Sequence, residues 1–245
     1  MDLLTIWFQY QSGRVGKSMM TGTYESESAV YSHVPQNVPR PIACDHYQDD
    51  ENMWFYLAEY HDMVDEIPNP HHFVSVVARL HRESMGKSPN GQFGFHVPTH
   101  MANIAILNGV DQSWESWYTK AMTSIFQIEQ KLHDEYDEEF EKLKDGTLKK
   151  VIPRLLRPLE TNGRRVVPCL IHGDLWPGNT MPDAVTEEIM IFDSAAFWGH
   201  HEADLGSWRA PRYRMGRPFM KEYQKRVGMD FPEDDWDDRN ALYAM

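Results

Sequence analysis

The sequence predicts an α+β fold with two lobes, a small lobe over residues 1–59 and a larger, mostly helical lobe over residues 60–245. Three observations support this prediction. Strand-like stretches flank a helical pattern near the start of the chain, helical patterns dominate after residue 70, and two apolar strands enclose a polar loop near residue 175. At 245 residues, the chain is long enough to bury a sizeable core.

The individual elements follow from the spacing of apolar residues. Strands are predicted over 3–11 and 53–59, with a helix over 18–33 between them. A loop is predicted where Pro35, Pro39 and Pro41 interrupt the chain. The later predictions, in chain order, are a helix over 70–83, a mostly irregular segment over 84–112, a long helical region over 114–144, a helix over 147–159, two apolar strands around a polar loop, and a helix from about Glu202.

Composition excludes several classes of protein. The formal net charge of −13 argues against nucleic acid or an anionic membrane as the main partner. No apolar run approaches the roughly 20 residues of a membrane span, and the first residues lack the basic region of a signal peptide. Cys44 and Cys169 are too few for a disulfide framework, so we expect a cytoplasmic protein.

Three polar residues around one loop are the best candidates for catalysis. Asp174 and Asn179 lie five residues apart after an apolar strand, and Asp193 follows the next apolar strand. Phosphoryl transfer from ATP needs an Asp that orients and deprotonates the acceptor hydroxyl, and an Asn and an Asp that hold Mg²⁺ on the phosphates. The protein-kinase catalytic loop has the same five-residue spacing.

This pattern predicts Asp174 as the general base and Asn179 and Asp193 as the Mg²⁺ ligands. His172 is expected to brace the loop rather than to react. The alternative is that Asp174 and Asn179 only stabilise a turn, which both residue types commonly do. The adjacent histidine pairs His71–His72 and His200–His201 do not predict a zinc site, because no Cys or Glu follows at ligand spacing.

Longer motifs in the chain resemble the fructosamine (ketosamine) kinase family, which is part of the aminoglycoside-phosphotransferase-like kinases. The motifs are HGDLWPGN over 172–179, FDSAAFWGHHEADLG over 192–206, LAEY over 57–60, VARLH over 77–81, FGF over 93–95 and WESW over 114–117. The resemblance covers most of the chain and is weakest before residue 50. It implies a protein-kinase-like fold, use of ATP and Mg²⁺, and phosphorylation of the 3-hydroxyl of a sugar on a protein lysine.

The resemblance also implies roles for residues outside the loop. Glu59 and Tyr60 would supply backbone hydrogen bonds to adenine, and Asp204 would hold the backbone of the catalytic loop. Glu202 and His200 would either contact the acceptor sugar or cap the helix in which Glu202 lies. Two tryptophans near the loop offer flat faces to a sugar or belong to the core or its rim. They are Trp176 and Trp198.

The chain departs from the family pattern in its first 30 residues. Tyr10 stands where the family has a strand Lys, and Thr23 stands where it has a helix Glu. Glu25 is a possible substitute for that Glu. The chain resembles a family member short of its first strands and last helix, which is typical of a truncated gene product or a decaying paralogue.

Two classes of function therefore remain open. One is an ATP-dependent kinase that acts on glycated protein or on a small ketosamine. The other is a remnant with impaired catalysis, similar to a pseudokinase. A third alternative, less favoured by the Trp in HGDLW, is a kinase of aminoglycosides or choline.

Overall fold

The computed structural model describes residues 5–106, 109–132 and 137–245. Over these residues the first quarter of the chain forms an antiparallel sheet and a long helix, and the rest is mainly helical. The helices are α1 Gly13–Tyr31, α2 Pro70–Ser84, α3 Trp114–Leu132, α4 Glu138–Gly146, α5 Ile152–Leu156, α6 Arg217–Val227 and α7 Trp236–Tyr243. The strands are β1 Ile6–Ser12, β2 Pro41–Tyr47, β3 Asp50–Glu59, β4 Thr99–Met101, β5 Ile104–Ile106, β6 Cys169–Ile171, β7 Thr180–Pro182, β8 Ile189–Ile191 and β9 Phe197–Gly199.

The first sheet has the strand order β1-β3-β2, with all neighbours antiparallel. Gln9 lies opposite Tyr56, and Trp7 lies opposite Ala58. Because side chains alternate along a strand, these four residues share one face of the sheet. Met20 of α1 packs against Tyr56 and Ala58 in a small core, so this face is turned towards α1.

The end of α1 joins the two parts of the molecule. Val30 and the following Val34 and Val38 belong to the large core of the helical part. Ser26, also in α1, donates a hydrogen bond from its hydroxyl to the carbonyl of Ser194 at 2.7 Å. The lobe boundary expected after residue 59 stays a prediction, because α1 packs on both sides of it.

The helix predicted over 70–83 is confirmed as α2, Pro70–Ser84. The side chain of Asn69 accepts a hydrogen bond from the backbone N–H of His71 at 2.9 Å, which satisfies a donor of the first turn. Proline at the next position has no N–H to leave unpaired. Phe73 and Val77 are fully buried on the core side.

The loop predicted around the three prolines ends earlier than expected, so the prediction is wrong for Pro41. Pro41 begins β2, which is an edge strand of the first sheet. Proline is tolerated there because an edge strand has a side that pairs with no other strand. The first predicted strand is confirmed from Ile6, although residues 3 and 4 lie outside the described residues, and α1 begins earlier than predicted, at Gly13.

The later helices are divided into more and shorter elements than predicted. The long helical region is described as α3 and α4, and residues 133–136 between them lie outside the described residues. The helix predicted over 147–159 is a π-helical turn over Thr147–Val151, then α5, then a 3₁₀ turn over Arg157–Glu160. The segment 84–112 contains the β4–β5 hairpin. The last predicted helix is the 3₁₀ helix His201–Arg209. None of the described helices has both the length and the apolar character needed to cross a bilayer.

Candidate active site

A cavity of about 470 Å³ lies between the first sheet and the helical part. Its walls come from β1, α1, β3, the chain after β3, and the two loops that carry the predicted catalytic residues. The lining residues include Asn179 and Asp193. The two residues predicted to bind Mg²⁺ therefore lie in the same cleft.

The loop that carries Asp174 is held by its backbone. The carboxylate of Asp204 accepts hydrogen bonds from the backbone N–H groups of His172 and Gly173, both at 2.8 Å. Burial alone would raise the pKa of Asp204, but a hydrogen bond from His81 holds that pKa below its usual value. Asp204 is therefore an anion whose two oxygens both fix the start of the loop.

Gly173 is required at this place for two reasons. Its φ of +83° lies in the left-handed region, and a Cβ built on it would lie 2.5 Å from the carbonyl oxygen of Ala195. An L side chain would therefore meet both a strained backbone and a clash. This close approach brings the loop of Asp174 next to the segment that follows Asp193.

His172 connects the two loops through both of its ring nitrogens. Nδ1 lies 3.3 Å from the backbone nitrogen of Asp174, and Nε2 lies 3.1 Å from the carbonyl oxygen of Phe192. A neutral imidazole fits both partners, because Nδ1 accepts and Nε2–H donates. Burial lowers the pKa of His172 to about 4. The expected bracing role agrees with these contacts.

Asp174 and Asn179 are in direct contact. The Asn179 amide nitrogen donates to Oδ2 of Asp174 at 2.9 Å and to the Asp174 carbonyl at 2.9 Å. It also lies 3.4 Å from the carbonyl oxygen of Asp193. Burial and the nearby Asp193 carboxylate raise the pKa of Asp174 to about 6, within the range that suits a general base.

Asp193 has a backbone conformation that is uncommon for a residue other than glycine, with φ of +57°. Burial raises the pKa of its carboxyl. The next residue, Ser194, donates its backbone N–H to Glu27 of α1 at 2.6 Å. The metal-binding candidate is thus fixed against α1 as well as against the catalytic loop.

Trp176 lies at the rim of the loop, with 37% of its surface exposed. Its ring covers Gly178, where a Cβ would lie 2.2 Å from the indole. The ring of Tyr213 lies 5.5 Å away. Trp176 and Tyr213 therefore form an aromatic surface next to Asp174. Trp198 is less exposed and exchanges backbone hydrogen bonds with Gly94.

Comparison with known proteins agrees with this geometry. The model of the fructosamine kinase family matches residues 6–245, almost the entire chain. This chain belongs to the fructosamine kinase family.

Curated relatives in the fructosamine kinase family are longer than this chain. The chloroplastic protein-ribulosamine 3-kinase of Arabidopsis thaliana is 28% identical over 212 residues, which cover 86% of this chain and 60% of the relative. The ketosamine-3-kinase of Mus musculus is 36% identical over 116 residues, which cover 46% of this chain and 34% of the relative. The alignment with the plant relative thus spans about three fifths of that protein's length.

Solved structures show the fold. A Haemophilus somnus protein provisionally named a fructosamine-3-kinase superposes with a TM-score of 0.71 at 18% identity, covering 99% of this chain and 74% of the other. An aminoglycoside phosphotransferase superposes with a TM-score of 0.60 at 13% identity, covering 98% of this chain and 76% of the other. The predicted α+β, protein-kinase-like fold is confirmed.

Two residues compared with the fructosamine kinase pattern do not face the cleft: Tyr10, at the position expected for the strand Lys, and Glu25, the possible substitute for the helix Glu. Tyr10 pairs with Phe55, and strand alternation puts both on the face opposite to Gln9 and Trp7. Gln9 and Trp7 are the β1 residues that line the cleft. Glu25 is half-exposed and pairs with His96 at 3.0 Å, so the suggestion that it replaces the helix Glu is wrong.

Glu27 is the glutamate of α1 that reaches the cleft. It lines the cavity together with Thr23, because residues four apart lie on the same face of a helix. Burial raises the pKa of Glu27 to about 7, and the nearby Asp193 contributes to this rise. The sequence did not indicate Glu27, because the family resemblance placed Thr23 at the position of the helix Glu and gave Glu25 as its possible substitute.

The segment after β3 lines the cleft as expected for an adenine-binding hinge. Glu59 and Tyr60 are among the lining residues. However, the N–H of Glu59 donates to Arg40 at 2.9 Å, and the N–H of Tyr60 donates to Thr5 at 3.1 Å. Adenine would therefore have to use other backbone groups of this segment, such as those around His61.

Glu202 and His200 do not face an acceptor. Glu202 is buried and accepts hydrogen bonds from the Arg239 guanidinium at 2.7 and 3.0 Å. His200 is fully buried and bonds to Tyr243 and Asp230. The sugar-contact alternative is wrong for both residues, since neither side chain lines the cleft, and no cap by Glu202 is seen among the described contacts.

The cleft has an unfavourable charge for a nucleotide. Its lining includes four acidic residues, listed here: Glu27, Glu59, Asp62 and Asp193. No Lys or Arg is among the described residues that line it. A triphosphate would meet like charges at short range, which costs free energy unless a cation lies between them.

Proposed function

We propose that this chain forms the nucleotide and catalytic site of an ATP-dependent ketosamine 3-kinase. One observation carries the proposal. Asn179 and Asp193 line one cleft, and the amide of Asn179 bonds directly to the carboxylate of Asp174. A base next to two oxygen ligands is the arrangement that phosphoryl transfer from a metal–nucleotide complex requires.

The residues present fit a magnesium ion. Asp193 offers a carboxylate, and Asn179 has its amide nitrogen bonded to Asp174, which leaves its carbonyl oxygen for a metal. Hard oxygen donors of this kind are what Mg²⁺ takes in nucleotide sites, together with phosphate oxygens and water. When bound, the ion would neutralise phosphate charge, a need that the acidic cleft makes greater.

Asp174 would act on the acceptor. Its carboxylate is held at the loop by Asn179, and its raised pKa makes it a stronger base than an exposed aspartate. We infer that it accepts the proton of a sugar 3-hydroxyl as the phosphoryl group is transferred. The aromatic surface of Trp176 and Tyr213 offers a place for the apolar face of the sugar.

The acceptor class rests on the family. Ribulosamine and ketosamine appear in the names of the plant and mouse relatives, and we infer a fructosamine or ribulosamine on a protein lysine for this chain. Deglycation repair in the cytoplasm is part of this proposal. The plant relatives are named chloroplastic, so the compartment needs its own measurement, for which fluorescence microscopy of the tagged protein suffices.

A second candidate function is that of a catalytically impaired remnant. The acidic lining of the cleft favours it, together with Gln9 and Trp7 at the cleft face of β1. Neither side chain can supply the cation that a strand lysine places on the phosphates. A misplaced triphosphate loses much of the rate that positioning gives.

A single assay separates these candidates. The chain is incubated with Mg-ATP and fructosyl-lysine, ribulosyl-lysine, an aminoglycoside or choline, and phosphorylated product is measured by mass spectrometry. Phosphorylation of a ketosamine at the 3-hydroxyl, absent in Asp174→Asn, supports the kinase. Mg-ATP binding without turnover supports the remnant, and turnover on the aminoglycoside or choline alone would overturn the ketosamine assignment.

A further inference from the structure

A cluster of three metal-ligating side chains lies away from the nucleotide cleft. His200 and His201 adjoin at the start of the 3₁₀ helix 201–209, and Asp230 lies between α6 and α7. Their ligand atoms all lie within 4.8 Å of one another. Oδ2 of Asp230 is 2.9 Å from Nε2 of His200 and 3.6 Å from Nε2 of His201.

These spacings suit a tetrahedral metal. Ligand atoms about 2.0–2.1 Å from a zinc ion in tetrahedral geometry are separated from each other by roughly 3.3 Å. The two observed distances lie on either side of this value. Both histidines are buried, whereas 44% of the Asp230 side chain is exposed. Solvent can therefore reach the fourth position of the site.

The hydrogen bonds outside the cluster determine which nitrogen of His201 faces Asp230. His81 Nε2–H donates to the ionised Asp204 at 3.0 Å, so His81 Nδ1 accepts the hydroxyl proton of Tyr223 at 2.5 Å. Tyr223 then has no proton left for His201. His201 Nδ1–H must donate to the Tyr223 oxygen at 3.1 Å.

In neutral His201, the lone pair of Nε2 therefore points towards a carboxylate oxygen. This contact of 3.6 Å is too long for a hydrogen bond and is repulsive between two electron pairs. It becomes favourable if a cation lies between the two atoms. His200 differs, because its Nε2–H donates to Asp230 at 2.9 Å and its Nδ1 accepts from the hydroxyl of Tyr243 at 2.8 Å. Binding of a metal by Nε2 would place the proton of His200 on Nδ1, from which it would donate to Tyr243. Outer hydrogen bonds of this type are usual for metal-binding histidines.

We propose that His200, His201 and Asp230 bind one divalent transition-metal ion, with Zn²⁺ as the best fit. Two imidazole nitrogens, one carboxylate oxygen and one water form a common four-coordinate set for zinc. The backbone of Asp230 is already fixed, since its N–H donates to Glu202 at 2.9 Å and its carbonyl accepts from Arg239 at 2.7 Å. Little rearrangement is needed to close the site.

The position of the site gives the metal a structural role. Tyr223, His81 and Asp204 form a continuous line of contacts from His201 to the backbone of Gly173. A bound ion would join the segment before α7 to this line. We expect it to raise the melting temperature and to leave the chemistry at Asp174 unchanged, because none of its three ligands lines the cleft.

The test uses metal-stripped full chain and Zn²⁺ alone, with excess Mg²⁺ in the buffer to occupy oxygen-ligand sites. We expect one Zn²⁺ per chain by equilibrium dialysis and a higher melting temperature by calorimetry. His201→Gln and Asp230→Asn should each weaken binding at least about 10-fold, the loss expected when one of few ligands is removed. The matched control is His72→Gln, which changes the other adjacent histidine pair and should bind zinc as the unaltered chain does.

A measurement on the unaltered chain covers the case in which the variants fail to fold. Co²⁺ should give the intense visible absorption of four-coordinate cobalt, and Zn²⁺ should abolish it by competition. No saturable binding would overturn the proposal, as would a cobalt spectrum typical of six water-like ligands. Zinc binding that is equal in Asp230→Asn and in the unaltered chain would also overturn it and leave the cluster as a pair of ionic contacts.

Discussion

The amide nitrogen of Asn179 donates a hydrogen bond to Oδ2 of Asp174 at 2.9 Å. This bond joins the proposed base to a proposed metal ligand, so the acceptor hydroxyl and the metal-bound phosphates would be positioned by a single contact. It also fixes the orientation of the amide, since Nδ2 is used on Asp174 and the carbonyl oxygen remains for Mg²⁺. Changes at either residue should therefore affect chemistry more than folding.

Asp174→Asn should reduce phosphate transfer by about 10²- to 10⁴-fold, the usual cost of removing a general base. The new side-chain oxygen can still accept the hydrogen bond from Asn179, so the loop should keep its shape. Turnover is measured with a ketosamine acceptor, and nucleotide binding by isothermal titration. Asp145→Asn, a change at an exposed aspartate, is the control. Unchanged turnover in Asp174→Asn would remove this residue from the mechanism.

At pH 8, above the raised pKa of Glu27 of about 7, Glu27→Gln should tighten nucleotide binding, because it removes a negative charge from a cleft that already contains Asp193. At about 6 Å, two like charges near a protein surface repel by roughly 3 kcal/mol. We expect about a 10-fold gain in affinity, which is about 1.4 kcal/mol. The new amide oxygen can still accept the N–H of Ser194.

Glu25→Gln is the matched control for this change. It makes the same substitution in α1 on the side that faces His96, and the affinity should not change. Isothermal titration with ATP, with and without Mg²⁺, measures both variants. Weaker Mg-ATP binding in Glu27→Gln would contradict the repulsion argument and would indicate that Glu27 is itself a ligand of the metal.

The sequence predicted the fold class and the catalytic loop for a local reason. Asp174 and Asn179 lie in one short loop between apolar strands, so their proximity needs no knowledge of distant packing. The confirmed helix α2 was predicted on similar grounds, from a proline in its first turn and an apolar stripe.

Features that depend on distant packing were not predictable in this way. Whether Glu25 or Glu27 reaches the cleft depends on the rotation of α1 over the sheet, which the helical repeat alone does not define. Whether Gln9 or Tyr10 faces inward depends on the same contact. Asp230 lies 29 residues after His201 in the sequence, so no local spacing indicated that they meet.

The pH dependence of the free energy of unfolding should reveal the lowered pKa of the buried His172. Its pKa is about 4 in the folded chain, against an ordinary value of 6.5. As the pH falls below 6.5, the unfolded chain takes up this proton and the folded chain does not until about pH 4. His172 therefore reduces the free energy of unfolding across this window, by a few kcal/mol at most, since one pKa unit is about 1.36 kcal/mol.

His172→Gln isolates this effect, because glutamine does not titrate. Urea unfolding is measured from pH 7 to pH 4.5 for both chains. The stability of the unaltered chain should fall relative to that of the variant as the pH decreases. A constant difference between the two curves would mean that His172 is protonated equally in both states. The comparison with the variant is needed because Asp174 and Glu27 also titrate in this pH window. Their raised pKa values increase the free energy of unfolding as the pH falls, which is opposite to the effect of His172.

Gly173→Ala should destabilise the chain far more than the same change at Gly163. Both glycines have a φ near +80°, namely +83° and +79°, so alanine meets a similar backbone strain at each position. That strain costs about 1–2 kcal/mol. At Gly163 a Cβ has no heavy atom within 4 Å, whereas at Gly173 it lies 2.5 Å from the carbonyl oxygen of Ala195. The clash must push the catalytic loop away from the segment that follows Asp193, so we expect the free energy of unfolding to fall by more than about 3 kcal/mol in total, well beyond an ordinary surface substitution.

Urea unfolding of the two variants gives the difference directly, and turnover should fall in Gly173→Ala alone. Equal losses in the two variants would show that the close approach between Gly173 and Ala195 does not hold the two loops together.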